Sequence, residues 1–240
     1  MTNNNNYLKI IFALILGCAL IIASYILGDF LYKSRQEKTI TATGFASLSA
    51  ASDIVKWRLT ISREAKITNL KEGYLQIAKD LEKLKDILIK SGIADTEINI
   101  QPINANPVYS NYGKIENYSL QQSIFIVSKN LELIEKSALN PENIMNQNIL
   151  IQYSNLEYYF ENIGDLKISL IKQATGDGLK RAEEIAASAG SKIDKLISAR
   201  VGVFQITEPY SNEITDYGVY NISSKAKEVK VTVKVTVSLK

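Results

Sequence analysis

An uncharged apolar run near the N-terminus constrains this chain more than any other feature. Residues 10–27 read IIFALILGCALIIASYIL and contain no charged side chain. A helix rises about 1.5 Å per residue, so this run nearly crosses the ~30 Å hydrocarbon layer of a bilayer. Tyr7 and Phe30 flank it, as aromatic rings do at membrane interfaces. The run predicts a transmembrane anchor over residues 10–30, preceded by a short tail, residues 1–9.

Two other interpretations of this run fit it less well. A cleaved signal peptide has an apolar region of about 7 to 15 residues, and this run is longer. A lipoprotein signal would place a small residue where Leu16 stands, and the sequence after Cys18 would become polar, whereas it stays apolar. We favour an uncleaved anchor with Cys18 as an ordinary lipid-facing residue. The charges on either side of the run do not decide its orientation.

The composition excludes most catalytic chemistry. The 240 residues include no histidine and one cysteine. Zinc sites draw on several His and Cys ligands, and Ser-His-Asp or Cys-His catalysis needs an imidazole base. A disulfide within the chain needs a second cysteine. We therefore expect no catalytic residue, no metal ligand and no cofactor.

The charge balance argues against nucleic-acid binding. The chain carries 28 basic and 25 acidic side chains, and residues 1–38 hold four of the basic and two of the acidic ones. The remainder is therefore nearly neutral, with lysine and glutamate interspersed. Nucleic-acid binding needs a concentrated basic surface, so we expect no nucleic-acid partner.

Residues 31–38 are predicted as a linker and residues 39–240 as one folded domain, whose first elements are easily recognised. Val55, Trp57, Leu59 and Ile61 alternate with polar residues, which predicts a half-buried strand over residues 53–65. Residues 39–48 are a candidate partner strand. Apolar residues from Leu70 onward follow a helical spacing as far as the Ser91-Gly92 pair. This segment predicts an amphipathic helix of about six turns.

The later segments alternate between the same two patterns. We predict strands over residues 97–104, 120–128, 149–153 and 196–207, a long tyrosine-rich loop over residues 106–118, and a short helix over residues 130–139 with Asn130 as its N-cap. The longest helix is predicted over residues 163–189. The clearest pattern comes last, because five valines and Leu239 alternate with polar residues from Val229 onward. One buried and one wet face predict an antiparallel strand.

Gly176 and Gly178 interrupt the long helix. Each glycine should cost on the order of 1 kcal/mol relative to alanine, so the pair needs a reason. Close packing against a sheet and a local kink are the structural explanations. Phosphate binding is the functional one, but the strand and the third glycine of such a loop are absent.

These elements predict an α+β fold, in which antiparallel sheets are covered by two long helices. The two halves of the domain read alike: strand, long helix, strand, tyrosine loop, strand. We therefore hypothesise a duplicated β-α-β-β unit with halves over residues 53–128 and 148–239.

Several segments resemble the SIMPL-domain family. They are Thr41-Ala42-Thr43-Gly44, Tyr158-Tyr159-Phe160, the alanine-rich helix through Arg181 and Ile185, Gly202-Val203-Phe204-Gln205-Ile206-Thr207, Asp216-Tyr217-Gly218 and the terminal valine-lysine strand. The resemblance covers roughly residues 38–240. Within the family, the chain is similar to the periplasmic immunogenic proteins of bacterial envelopes. It implies an α+β domain outside the cytoplasm with no established catalytic residue or cofactor. We accordingly expect a single-pass protein of the bacterial inner membrane with its C-terminal domain in the periplasm.

The leading functional hypothesis is a non-enzymatic, membrane-anchored envelope protein with an oligomerising or protein-binding domain. Its expected partners are the membrane, through residues 10–30, further copies of itself and an unknown envelope protein, with an accessory role in envelope stress as one version. The candidate interaction surface consists of loop tyrosines, which combine apolar rings with hydrogen-bonding ends: Tyr109, Tyr112, Tyr210, Tyr217 and Tyr220.

The alternative is a hydrolase that acts on envelope polysaccharide with two carboxylates as its acid and base. Glu157, Glu161, Asp165 and Asp177 are available, but no pattern in the sequence brings two of them together.

Overall fold

A computed structural model describes residues 4–35 and 38–240. Its elements in chain order are α1 (Asn4–Arg35), β1 (Thr39–Ala51), β2 (Ile54–Lys66), α2 (Leu70–Lys90), β3 (Ile98–Tyr109), β4 (Ile115–Ser128), α3 (Leu131–Leu139), α4 (Glu142–Met145), β5 (Leu150–Tyr159), α5 (Ile163–Ser188), β6 (Ile193–Val201), β7 (Gln205–Thr207), β8 (Val219–Tyr220) and β9 (Ala226–Leu239). The α+β prediction is confirmed.

The N-terminal helix α1 contains a segment, Ile10–Leu31, that is long and apolar enough to cross a bilayer. None of this segment is buried inside the protein. The predicted anchor, residues 10–30, lies within it. The helix also takes in residues 4–9 of the predicted tail and continues to Arg35 in the predicted linker, whereas residues 1–3, 36 and 37 lie outside the described residues.

The chain from residue 38 onward contributes to two compact units. One unit comprises residues 172–202 and 232–240 with the N-terminal residues up to Phe45; the other comprises residues 46–171 and 203–231. We call them the α5 unit and the α2 unit after their long helices. The sequence had predicted one domain over residues 39–240, with halves that do not coincide with these units.

The α2 unit is built on a four-stranded sheet in the order β3-β4-β2-β5. The alternation in β2 determines its packing, because Val55, Trp57, Leu59 and Ile61 are all essentially inaccessible to solvent. Helix α2 covers these residues with Ile77, Leu84 and Leu88. The amphipathic spacing therefore produces a helix-on-sheet core, as predicted.

One ion pair links α2 to the sheet. Arg63 of β2 donates hydrogen bonds to both carboxylate oxygens of Asp80, including one of 2.9 Å from Nη2 to Oδ1. Asp80 is buried, with 3% of its surface exposed, on the face of α2 that packs on the sheet. The hydrogen bond to Asp80 raises the pKa of Arg63 further above its usual value, so the guanidinium stays protonated.

In the α5 unit, β9 pairs with β1 and, antiparallel, with β6. Val233, Val235 and Val237 are buried, which confirms the predicted core face of the terminal strand. Helix α5 contributes Ala174, Ala182 and Ala186 to the buried residues. Small side chains allow this helix to approach the sheet closely.

The closest approach explains one of the two helical glycines. A Cβ atom on Gly44 of β1 would lie 2.0 Å from the carbonyl oxygen of Ala174 and 2.3 Å from the amide nitrogen of Gly178. A Cβ atom on Gly178 would itself lie 3.1 Å from Val235 Cγ2. Close packing is therefore the reason for Gly178, whereas a Cβ on Gly176 would meet nothing within 4 Å.

Two predicted segments differ from the structure in type or continuity, and β5 continues to Tyr159, beyond the strand predicted over residues 149–153. The loop predicted over residues 106–118 is mostly strand, because β3 extends to Tyr109 and β4 begins at Ile115. Pro107 lies within β3, which is an edge strand, where a missing N–H is tolerated. The strand predicted over residues 196–207 is divided into β6 and β7 at residues 202–204.

The two halves of the proposed duplication differ in one pairing. Strand β2, which precedes α2, belongs to the same sheet as β3 and β4, whereas β5, which precedes α5, pairs with β2 and not with β9. The duplicated unit stays a prediction.

Candidate functional site

Two tyrosine loops extend from the α2 unit. The first is the tight turn between β3 and β4, in which Ser110 N donates to Lys114 O at 2.8 Å and Gly113 N donates to Ser110 O at 3.0 Å. The turn projects Tyr112, which is 92% exposed, while Tyr109 at the end of β3 is 59% exposed. We call residues 109–114 the hairpin loop.

The second loop, residues 208–218, connects β7 to β8, and side chains of the neighbouring strands hydrogen-bond to its backbone. Gln205, which is buried, donates from Nε2 to Thr215 O at 2.8 Å and accepts from Thr215 N at 3.4 Å. Lys230 Nζ of β9 donates to Ser211 O at 3.0 Å. These bonds fix the backbone at two points within the loop.

The same loop directs its largest apolar side chains outward. Tyr210 and Tyr217 are each 98% exposed, and Ile214 between them is 76% exposed. Tyr210 also adopts a positive φ of 64°, which is uncommon for a residue with a side chain. Exposed rings on a fixed backbone are typical of surfaces that bind another macromolecule.

Tyr220, the fifth predicted tyrosine, packs differently. Its ring stacks on that of Tyr159 with 6.2 Å between centroids, and its hydroxyl accepts a hydrogen bond from Phe160 N at 3.4 Å. Tyr159 in turn donates to Glu157 at 2.8 Å. Burial, followed by this hydrogen bond, raises the pKa of Tyr159 to about 12. Tyr220 is therefore largely part of the domain's own packing, whereas Tyr112, Tyr210 and Tyr217 are free for contact.

The outer face of the four-stranded sheet carries a charged cluster that sequence reasoning missed. Arg58 Nη2 lies 3.1 Å from the buried Glu157 Oε1, and the guanidinium lies 5.2 Å from the centre of the Phe125 ring. Lys56 Nζ lies 4.8 Å from the same ring. Strand alternation placed Lys56 and Arg58 on one face, but the cross-strand partners needed the register of β4 and β5. The cluster stabilises the sheet surface by ion pairing and cation–π contact.

The carboxylates considered for hydrolysis have partners of other kinds. Glu161 binds Lys129 at 2.6 Å. Asp177 accepts from Phe45 N at 2.9 Å and from Arg181 at 2.8 Å, and these bonds, the backbone one first, lower its pKa. Asp165 lies in the first turn of α5. Within residues 4–35 and 38–240, no group of three or more Cys, Asp or Glu side chains could hold a metal ion.

A cavity of about 280 Å³ opens between α2, α3 and α4. Trp57, Leu88 and Ile144 form its apolar floor, and Lys136 and Asn143 are among the polar residues at its rim. Its walls come from three separate helices and a strand, so no single segment of the sequence signals it.

One buried lysine supports the segment that follows the second loop. Lys227 of β9 is fully buried, and its Nζ donates to Asn221 O at 2.5 Å and to Ser224 O at 2.6 Å. Burial lowers the pKa of Lys227 to about 8. Lys227 lies two residues before Val229 and shares the buried face of the valines, although the predicted alternation begins only at Val229.

Comparison with known proteins identifies the family. The model of the family described as SIMPL, protein of unknown function (DUF541), matches residues 40–239. This chain belongs to the SIMPL family. The match includes residues of both units and leaves out all of α1. A relative, the 26 kDa periplasmic immunogenic protein of Brucella melitensis, is 22% identical over an alignment of 204 residues that covers 82% of this chain and 79% of the relative.

The predicted resemblance to the SIMPL family is therefore confirmed. The residues that the family model matches, 40–239, make up nearly all of the described chain after α1. Together, the N-terminal apolar helix and the periplasmic relative fit an extracytoplasmic domain.

Proposed function

We propose that this SIMPL protein is a non-enzymatic envelope protein, held in the inner membrane by α1, whose periplasmic domain binds other proteins through its two tyrosine loops. The observation that carries this proposal is the exposure of Tyr112, Tyr210 and Tyr217, each of which is more than nine-tenths accessible to solvent. Tyrosine rings contribute large contact areas at protein interfaces at a small entropic cost.

Substitution of one tyrosine in each loop tests the proposal. The Tyr112→Ala/Tyr217→Ala protein, purified from intact membranes in mild detergent, is expected to retain several-fold less of any co-purifying envelope protein than the wild type. Its circular dichroism and melting temperature should not change, because both side chains lie in solvent. Tyr153→Ala is the matched control, since Tyr153 is 46% exposed on β5 and belongs to neither loop. Equal capture by all three proteins would refute the role of the loops.

Anchoring by α1 is supported by the length and the apolar character of Ile10–Leu31. We expect the mature protein to keep this segment and to resist alkaline extraction from membranes. A reporter that is active only in the periplasm, fused after Lys240, should be active. A mature N-terminus after residue 20 would contradict the anchor. An inactive fusion on a protein that is still membrane-bound would contradict the orientation.

Self-association is the second part of the proposal. Strand β9, whose valine face is buried, lies inside its sheet between β1 and its other neighbours. The exposed strand is β6, in which every residue from Asp194 to Val201 is accessible, including Leu196, Ile197 and Val201. Exposed strands with apolar side chains tend to pair with other chains. Light scattering of the full chain in detergent should therefore show an oligomer that Ile197→Lys weakens; a monomer at all concentrations would exclude it.

We do not extend the proposal to polysaccharide hydrolysis. Glu157, Glu161 and Asp177 each form an ion pair with a basic side chain. A link to envelope stress would follow from the identity of the captured partner, and the co-purification experiment supplies that identity.

A further inference from the structure

We infer that the loop of residues 208–218, which we call the acidic tyrosine loop, docks a basic segment of a partner protein. This inference rests on the proposed function, because it specifies the chemistry of the partner for one of the two tyrosine loops. It commits to an extended, lysine- or arginine-rich protein segment as the occupant.

The charge of this loop favours a basic occupant. Residues 208–218 include Glu208, Glu213 and Asp216 and contain no lysine or arginine. Glu213 and Asp216 are exposed, and they alternate along the chain with the exposed Ile214 and Tyr217. An approaching ammonium or guanidinium group therefore meets carboxylates and aromatic rings within the same few residues.

The lysines that border the loop leave this negative charge in place. Lys230 Nζ lies 3.0 Å from Glu228 Oε2, so its charge is paired within β9. Lys227 is buried beneath the segment that follows the loop, where it donates to Asn221 O and Ser224 O, and it interacts electrostatically with Glu208 at the start of the loop. Neither lysine pairs with Glu213 or Asp216 in the ion pairs of the described chain.

Aromatic rings beside carboxylates match the chemistry of basic side chains. A cation over the face of a tyrosine ring is attracted by the ring quadrupole, and a carboxylate adds charge-assisted hydrogen bonds. The same carboxylates would repel an anionic lipid surface or an acidic protein. The surface therefore discriminates in favour of basic protein segments over the other macromolecules of an envelope.

The loop is also held ready for binding. Hydrogen bonds from Gln205 to Thr215 and from Lys230 to Ser211 restrain its backbone before any partner arrives. A restrained loop loses less conformational entropy on binding. A weakly attractive set of rings and carboxylates can then yield measurable affinity.

The hairpin loop provides an internal control with the opposite charge. Residues 109–114 include one charged side chain, Lys114, and no carboxylate. Tyr112 is almost as exposed as Tyr210 and Tyr217. If ring exposure alone governed binding, both loops would respond alike to a basic probe; if charge governs it, only the acidic tyrosine loop will respond.

The probe is a fluorescently labelled peptide of eight lysines. Its fluorescence anisotropy is measured while the full chain, in mild nonionic detergent, is titrated into it. We expect saturable binding at low salt that Tyr210→Ala/Tyr217→Ala weakens about tenfold, since each exposed cation–π contact is worth a factor of roughly two to five. Glu213→Gln/Asp216→Asn should weaken binding comparably and reduce its salt dependence. Tyr112→Ala should stay within about a factor of two of the wild type, and a peptide of eight glutamates should not bind.

Unchanged peptide affinity in both double variants would overturn the inference. A second result would also overturn it. If Tyr210→Ala/Tyr217→Ala binds the peptide normally but loses binding to phosphatidylcholine vesicles, the occupant is a membrane. If that variant binds the peptide normally but loses self-association, the occupant is a second copy of the chain. If Tyr210→Ala/Tyr217→Ala lowers co-purification of the envelope partner but leaves peptide binding intact, the inference fails and the proposed function stands. If neither changes, both fail for this loop.

Discussion

Alanine at each of three glycines tests the contact between β1 and α5. A Cβ on Gly44 would overlap backbone atoms of Ala174 and Gly178 at 2.0 and 2.3 Å. Backbone atoms cannot rotate away, so the strand and the helix must separate by more than 1 Å to reach the roughly 3.4 Å of an ordinary contact. Overpacking costs about 1 to 3 kcal/mol in typical cores, and we expect Gly44→Ala to reach about 3 kcal/mol.

Gly176→Ala should act in the opposite direction. The new methyl group meets nothing within 4 Å, and alanine gains about 1 kcal/mol over glycine inside a helix. Gly178→Ala receives the same helical gain, but its Cβ approaches Val235 Cγ2 at 3.1 Å and the amide nitrogen of Gly44 at 3.2 Å. The stability order should therefore be Gly176→Ala, wild type, Gly178→Ala and Gly44→Ala, with about 4 kcal/mol between the extremes.

Hydrogen exchange with mass spectrometry measures this order locally in the full chain. A difference of about 4 kcal/mol corresponds to roughly a thousandfold difference in the opening equilibrium of the amides in α5 and the C-terminal part of β9. Peptides from β2 and β4 serve as the reference, because these strands belong to the α2 unit. Wild-type protection in Gly44→Ala would refute the close contact, and a loss of protection in Gly176→Ala would refute its open surroundings.

Two further predictions concern buried charges in the α2 unit. Because the pKa of Lys227 is about 8 when folded and 10.5 when unfolded, the unfolded chain binds more protons between these values; the free energy of unfolding should rise by roughly 2 kcal/mol from pH 8 to 9.5. Thermal melts should show this rise in the wild type and not in Lys227→Met; a flat wild-type profile would contradict it. Asp80→Ala should destabilise the unit by about 2 to 3 kcal/mol, less than for a fully buried pair because about a third of the Arg63 side chain is exposed. Denaturation followed by Trp57 fluorescence measures the loss, which Arg63→Met/Asp80→Leu should largely reverse; a single variant as stable as the wild type would contradict the prediction.

Local patterns were sufficient for most of the individual elements. The alternation around Trp57 and the valine repeat of β9 predicted strands whose apolar faces are buried. Asn130 was predicted as an N-cap, and its Oδ1 accepts from Leu133 N at 3.2 Å. Such features depend on residues within one or two turns of each other, which is the range at which side-chain period and capping chemistry act.

Features that depend on distant residues could not be predicted. Gly178 is explained by Gly44, which is more than 130 positions away, so a glycine inside the helix looked anomalous in isolation. The extended hairpin was missed because the tyrosine-rich composition of residues 106–118 indicated a loop, whereas β3 and β4 pair through most of this segment. No local pattern in the sequence indicates that strand β5 pairs with β2 and not with β9.

The candidate surface was predictable only in part. Tyrosines between polar residues indicated two contact loops, and the structure places Tyr112, Tyr210 and Tyr217 in solvent. The same pattern did not distinguish Tyr220 from the exposed tyrosines. Its ring stacks on Tyr159, and this contact depends on β5 and β8 being neighbours in space. Loop composition thus identified the segment, while tertiary packing decided which rings are available.

The buried position of Lys227 has a consequence for its chemical reactivity. With a pKa of about 8, this amine is half neutral near pH 8 and would be an unusually good nucleophile among the lysines. It is nevertheless sealed under the carbonyl groups of Asn221 and Ser224. An acylating reagent can reach it only when the segment around residues 221–224 opens. The rate at which Lys227 is modified therefore reports the opening of that segment, without any engineered label.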